Sequence, residues 1–160
     1  MLKLRLDALC YSLLGVKVMI KSTKAVVRFA GDDLFIGITP SGHGVTIDTD
    51  HERSAAPSPV ELLLIALGSC TGIDVVGILK KKRIEVTEYR IEVSGERRDE
   101  HPRSYKSMNV HHVVTGKNVS ARAVQQAIEL SESKYCSVAA TFRPTVEIHS
   151  SYEIIEASDE

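Results

Sequence analysis

Residues 57–82, PSPVELLLIALGSCTGIDVVGILKKK, decide the fold, because they predict one long helix that is apolar on nearly every side. Ser58 can cap this helix, Pro59 suits the first helical position, and Glu61 follows Ser58 by three residues, as in a capping box. The basic run at 80–83 suits the C-terminal end of a helix. A helix without a polar stripe needs cover on several sides. We therefore expect an obligate symmetric dimer with the helix at residues 58–80 near its centre.

The composition narrows the class of protein. A chain of 160 residues that is 43% hydrophobic suggests one domain with a sizeable core. Its 20 basic and 21 acidic residues give a net charge of −1, which argues against a nucleic-acid partner. No uninterrupted apolar run reaches the ~18 residues of a membrane span, so no membrane association is predicted. Three cysteines without a secreted-type framework favour a cytoplasmic protein.

Apolar and polar residues alternate on both sides of the helix, which predicts strands. These cover residues 18–30, 34–39, 45–50, 84–98, 104–116 and 144–155. Ser120 can cap a second helix that runs to about Tyr135, and a short helical turn is expected at 137–142. The order β-β-β-α-β-β-α-β predicts an α+β fold with antiparallel sheets around the long helix.

The domain is expected to cover residues 18–156. Residues 1–17 form an N-terminal extension rather than a signal peptide, because Asp7 interrupts their apolar part and no convincing cleavage site follows. We expect that deleting this extension leaves the fold and the dimer intact. Cys10, which lies in it, is interpreted as an incidental thiol.

The other two cysteines are candidates for chemistry. Cys70 lies in the middle of the long helix among small residues, and Cys136 follows the second helix. Two inert buried thiols are one interpretation, since cysteine is common in cores. Glycine-rich or helix-end surroundings, which can tune a thiol pKa, favour the other interpretation, cysteines with tuned thiolate character. The histidines show no ligand spacing, and adjacent His111 and His112 point to opposite faces of a strand, so neither a metal site nor another cofactor is predicted.

The motifs SPVELLLIALGSC (58–70) and SKYCSVA (133–139), on this order of elements, resemble the OsmC/Ohr family of osmotically inducible and organic hydroperoxide resistance proteins. The chain is most similar to the OsmC-like subgroup. The resemblance implies an intertwined homodimer with two central long helices, and a thiol peroxidase that needs no cofactor. By this resemblance Cys70 attacks a small organic hydroperoxide, Cys136 then forms a disulfide with it, and an external dithiol reduces that disulfide.

One position departs from the family pattern. The well-studied enzymes carry a glutamate directly after the helix-start proline, paired with an arginine, and Val60 stands there in this chain. Glu61 lies nine residues before Cys70 and so on the opposite face, whereas Asp74, four residues after Cys70, shares its face. A carboxylate beside a thiol raises the thiol pKa unless a cation offsets it. Arg53 is one candidate cation, and the sequence does not choose between it and Arg28, Arg97, Arg98 and Arg103.

The residues leave other functions open. A non-catalytic dimer of the same fold could bind a small apolar or thiol-containing ligand. Cys70 could also be the nucleophile of an acyl transfer, but no histidine lies at a recognisable spacing from it. Strong peroxidase activity is not expected with valine at the acidic position.

Overall fold

The computed structural model describes residues 23–158. The extension at residues 1–17, Cys10 and the beginning of the first predicted strand lie outside the described residues. The chain forms two compact units, and the boundary between them falls between Thr46 and Ile47. The single domain expected over residues 18–156 stays a prediction.

The first unit is built on a hairpin. Strand β1 (Val26–Gly31) pairs antiparallel with β2 (Leu34–Ile38), and β3 (Gly44–Asp48), which contains the boundary, completes a sheet of order β1-β2-β3. The hairpin turns at two aspartates, Asp32 and Asp33, whose φ angles of 45° and 59° lie in the left-handed region that aspartate tolerates. Its strands leave apolar side chains such as Val27 and Phe29 more than half exposed.

The second unit holds the long helix and the second sheet. Its elements are α1 (Pro59–Lys81), β4 (Val86–Arg97), β5 (Tyr105–Gly116), α2 (Ala121–Leu130), a π-helix (Ser131–Tyr135), α3 (Ser137–Phe142) and β6 (Glu147–Glu156). The capping box at the start of α1 is confirmed. The Ser58 amide and hydroxyl both donate to Glu61 Oε2, at 2.7 and 2.6 Å.

The second sheet has the order β4-β5-β6 and is mixed. Strands β4 and β5 are antiparallel, but β5 and β6 are parallel, so the expectation of purely antiparallel sheets is wrong at this pair. The cause is the helical connection through α2, the π-helix and α3, which carries the chain back before β6 begins. The α+β class and the long helix are confirmed.

Two glycines allow α1 to lie close to β4. A Cβ atom on Gly68 would stand 2.9 Å from Val93 Cγ2, and one on Gly72 would stand 3.2 Å from Tyr89 Cε1. Either contact is too short for an unchanged structure, so these positions favour glycine. Around this contact, one core cluster surrounds Leu67 and another surrounds Val75 and Leu79.

Helix α1 is also long and apolar enough to cross a membrane by length and composition, although no uninterrupted apolar run of that length exists in the sequence. The core helix of a globular protein passes the same test, so the observation alone is weak evidence for a membrane span.

Candidate functional site

The two cysteines of the described chain are free thiols that lie on different elements of the second unit. Cys70 is half-buried near the middle of α1. Cys136 is 3% exposed and caps α3 directly after the π-helix. Its amide donates to the Ser131 carbonyl at 2.8 Å, and its Sγ accepts from the Ala139 amide at 3.3 Å. The end of the π-helix and the start of α3 therefore hold the Cys136 thiol in place.

Three side chains converge at this point, and we name Cys70, Asp74 and Cys136 the thiol cluster. The two sulfurs and a carboxylate oxygen of Asp74 all lie within 4.8 Å of one another. The prediction that Asp74 shares the helix face of Cys70 is thus confirmed. Ser131 Oγ donates to Asp74 Oδ2 at 2.9 Å and fixes the orientation of the carboxylate. Glu61 belongs to the helix cap instead.

The surroundings of Cys70 do not favour its thiolate. Burial raises the pKa of the Cys70 thiol, an amide hydrogen bond from Val138 lowers it, and Cys136 and Asp74 raise it further. Within the second unit, the candidate arginines Arg53, Arg97, Arg98 and Arg103 are not among the groups that shift the pKa of this thiol.

Arg53 instead organises the loop that leads into α1. Its Nε and Nη2 atoms donate to the two carboxylate oxygens of Asp48, at 3.0 and 2.8 Å. Asp48 is 2% exposed and also accepts the amides of Asp50 and Ala55. Hydrogen bonding to Arg53 is the main cause that holds the pKa of Asp48 well below its usual range. In the single chain, this arginine is a loop residue rather than a partner of the thiol.

Val60, which stands where the family that the chain resembles has a glutamate, is part of the apolar core. Val60 is half-buried and packs against the cluster around Leu67, and its carbonyl oxygen accepts a hydrogen bond from Tyr105 Oη at 3.2 Å. No carboxylate from the start of α1 therefore takes part in the thiol cluster among the described residues.

A buried polar pair was missed by the sequence reasoning. Tyr89 Oη and His112 Nδ1 are 2.5 Å apart, His112 is fully buried, and its Nε2 has no hydrogen-bond partner in the described part of the chain. Burial, with a contribution from His111, lowers the pKa of His112 to about 4. His112 is therefore neutral at pH 7, while His111 on the other face bonds Ser151 Oγ at 2.8 Å.

Two apolar grooves follow α1, and one of them reaches the thiol cluster at Asp74. One of 390 Å³ has Asp74 in its wall and otherwise mainly apolar lining. Its other lining residues are Ile73, Gly77, Ile78, Lys81, Leu130 and Tyr135. A second groove of 550 Å³ follows α1 where Gly68 and Gly72 approach β4. The arrangement therefore holds a half-buried thiol, a second thiol within 4.8 Å of it and an apolar groove at the neighbouring carboxylate.

Comparison with known proteins defines the class. The OsmC-like protein family model matches residues 50–151, a stretch that includes all three members of the thiol cluster. The chain belongs to the OsmC-like family.

Particular relatives agree with this assignment. The chain is 40% identical to protein YhfA of Escherichia coli K12 over 134 residues, which cover 84% of this chain and 99% of that protein. A hypothetical protein from Aquifex aeolicus VF5 shares 33% identity at a TM-score of 0.78, over 87% of this chain and 100% of that one. An organic hydroperoxide resistance protein OsmC from Legionella pneumophila has the same fold at 14% identity and a TM-score of 0.64, with 84% and 98% of the chains covered.

Proposed function

We propose that this protein is a cytoplasmic thiol peroxidase that reduces small organic hydroperoxides through a disulfide between Cys70 and Cys136. The carrying observation is that the two sulfurs lie within 4.8 Å of each other although the residues are far apart in sequence. The name of the Legionella relative, a hydroperoxide resistance protein, agrees with this chemistry.

The exposure of the two thiols supports the order of events. Cys70 is half-buried and lies one helical turn before Asp74, which lines an apolar groove, whereas Cys136 is 3% exposed. The accessible thiol is the one that can meet a peroxide, and the buried thiol is suited to a reaction partner that is already in place. The apolar groove lining matches an organic rather than an inorganic peroxide.

The reaction balances in three steps. The Cys70 thiolate attacks one peroxide oxygen, the O–O bond breaks, and the products are an alcohol and a sulfenic acid on Cys70. The Cys136 thiol then displaces the hydroxyl group, which forms the disulfide and releases water. An external dithiol reduces the disulfide by exchange and returns both thiols.

Turnover is expected to be slow. A peroxidase needs the thiolate, but burial and the neighbours of Cys70 raise the pKa of its thiol. Val60 supplies no charge at the acidic position of the well-studied enzymes. Deprotonation of Cys70 therefore limits the rate at neutral pH.

The working form is proposed to be a homodimer. Ile65 and Ile73 on α1 are 58% and 75% exposed in the single chain, and each lines a mainly apolar groove between α1 and β4. Large apolar side chains at such exposure on the longest helix are suited to burial against a second copy. Light scattering at micromolar concentration should give twice the chain mass, and a stable folded monomer would contradict this part of the proposal.

The apolar grooves also suit an alternative function, in which the dimer binds a small apolar or thiol-containing ligand without turnover. A thiol titration distinguishes the two functions. Reduced, metal-free protein that carries Cys10→Ser is treated with cumene hydroperoxide, and the free thiols and the mass are measured. We expect both remaining thiols to disappear with a mass loss of about 2 Da, from two hydrogen atoms.

Single variants test the order of attack. Cys136→Ser should stop at the sulfenic acid on Cys70 and over-oxidise with excess peroxide, and Cys70→Ser should consume no peroxide. Two thiols that stay reduced in the parent protein, or Cys70→Ser protein that consumes peroxide at the parent rate, would favour the ligand-binding function instead.

A further inference from the structure

The thiol cluster has the composition of a metal site. Cys70 and Cys136 provide sulfur and Asp74 provides oxygen, and these three atoms lie within 4.8 Å of one another. Around a tetrahedral zinc ion, with bonds of roughly 2.3 Å to sulfur and 2.0 Å to oxygen, ligand atoms stand about 3.5–3.8 Å apart. The three atoms therefore need to close by only about 1 Å, which side-chain rotation can provide.

The ligands come from ordered elements. Cys70 and Asp74 are four residues apart on α1, the spacing at which two histidines of a zinc-binding helix reach one ion. Cys136 enters from the start of α3, where the bonds to Ser131 and Ala139 hold it. Two ligands on one turn of α1 and a third from α3 are therefore already arranged on one side of the position that a metal ion would occupy.

Outer contacts also fit a metal site. Ser131 Oγ donates to Asp74 Oδ2 at 2.9 Å, the kind of hydrogen bond that orients a ligating carboxylate. The Ala139 amide donates to Cys136 Sγ at 3.3 Å and can donate equally to a thiolate. The apolar cluster around Leu67 limits water on this side of the sulfur.

We propose that the reduced protein binds one zinc-class divalent cation through Cys70 Sγ, Cys136 Sγ and an Asp74 carboxylate oxygen, with a water in the fourth position. Binding releases both thiol protons, so three anionic ligands surround a charge of +2 and the site carries −1. Asp74, which opposes the Cys70 thiolate in the metal-free site, attracts the cation.

The inference does not require peroxide turnover, because it needs only reduced thiols. It does imply that metal and peroxide exclude each other, since both thiols become ligands. Oxidation to the disulfide would remove two of the three protein ligands and release the ion.

The test uses Co²⁺ as a spectroscopic probe on full-length reduced protein that carries Cys10→Ser, so that the third thiol cannot contribute. We expect one Co²⁺ per chain, near-ultraviolet thiolate-to-cobalt absorption, visible bands of tetrahedral cobalt, release of about two protons per ion, and full displacement by Zn²⁺. Asp74→Asn, Cys70→Ser and Cys136→Ser should each weaken Co²⁺ binding by more than about tenfold. Glu61→Gln, which changes a carboxylate on the same helix outside the cluster, should leave the affinity unchanged.

The proposal is overturned if thiolate-to-cobalt absorption does not develop in the parent protein, or if Cys136→Ser, a near-isosteric change, binds Co²⁺ as tightly as the parent. Circular dichroism confirms that each variant is folded. Since the peroxide titration uses metal-free protein and the cobalt titration uses no peroxide, failure of one leaves the other result readable.

Discussion

The thiol cluster and the Tyr89–His112 pair both place polar groups against α1, yet only one of them is suited to chemistry. Tyr89 and His112 are joined by a single short hydrogen bond, and His112 is fully buried, so no substrate can reach its ring. In the thiol cluster three groups converge and Cys70 is only half-buried. Burial shifts the pKa of a side chain in both places, so a shifted pKa alone does not indicate a reactive site. The thiol cluster differs from the Tyr89–His112 pair because solvent reaches one of its groups and because three reactive side chains meet there.

The largest expected change in stability comes from a substitution that breaks the Tyr89–His112 pair. His112→Ala leaves a cavity and an unpaired Tyr89 hydroxyl, so we expect a loss of about 3–5 kcal/mol of unfolding free energy, measured by urea denaturation at fixed protein concentration. Cys70→Ser should cost about 1 kcal/mol or less, because Cys70 is only partly buried. Equal losses for the two variants would remove the structural difference between the two regions.

Protonation of His112 gives the next effect. Its pKa falls from 6.5 to about 4 on folding, so the unfolded chain binds more protons between these values. Stability from this group is full above pH 6.5 and is lost as the pH falls toward 4, by about 3 kcal/mol in all. Denaturation curves from pH 7 to 4 should show a smaller loss in His112→Gln, which does not titrate. Parallel pH curves for the two proteins would contradict this.

Close packing of α1 on β4 supports both regions, and glycine substitutions test it. Gly68→Ala places a methyl group 2.9 Å from Val93 Cγ2, a short and branched side chain, and should cost about 1–3 kcal/mol. Gly77→Ala is the matched control, because a Cβ atom there meets nothing within 4 Å among the described residues. It should stabilise the helix by up to about 1 kcal/mol. Thermal unfolding that ranks Gly68→Ala above the parent would contradict this packing.

These residues also show which features the sequence could predict. The elements, the cap at Glu61 and the shared face of Cys70 and Asp74 follow from local periodicity, which needs no knowledge of the partner elements. The parallel pairing of β5 with β6 does not follow from local periodicity, because it depends on where the helical connection returns the chain. Arg53 was a candidate cation because it lies in the linker before α1, and its bond to Asp48 is set by the path of that loop.

The Tyr89–His112 pair had a weak signal that was not used. Val110, His112 and Val114 alternate along β5, so a strand period of two places the histidine on the same face as two valines. Its partner on β4 follows only from the strand register and the position of α1. In the same way, the spacing of cysteines and histidines in the sequence does not indicate that Cys70, Asp74 and Cys136 converge, because Cys136 comes from a distant part of the chain.

The smallest expected effect is a change in the pKa of the Cys70 thiol, which tests the electrostatic difference between the two regions. Asp74 is one of the groups that raise the pKa of Cys70, so Asp74→Asn should lower that pKa and raise the thiolate fraction at neutral pH. An asparagine oxygen can still accept the bond from Ser131, which separates charge from packing. Iodoacetamide alkylation of Cys70, followed by mass spectrometry from pH 6 to 10 with metal removed, should be faster at pH 7 in Asp74→Asn and reach its plateau at lower pH. Glu61→Gln should leave the profile unchanged, because Glu61 lies on the opposite face of α1. An unchanged profile in Asp74→Asn would mean that the Asp74 charge does not act on the Cys70 thiol, and this electrostatic difference between the two regions would disappear.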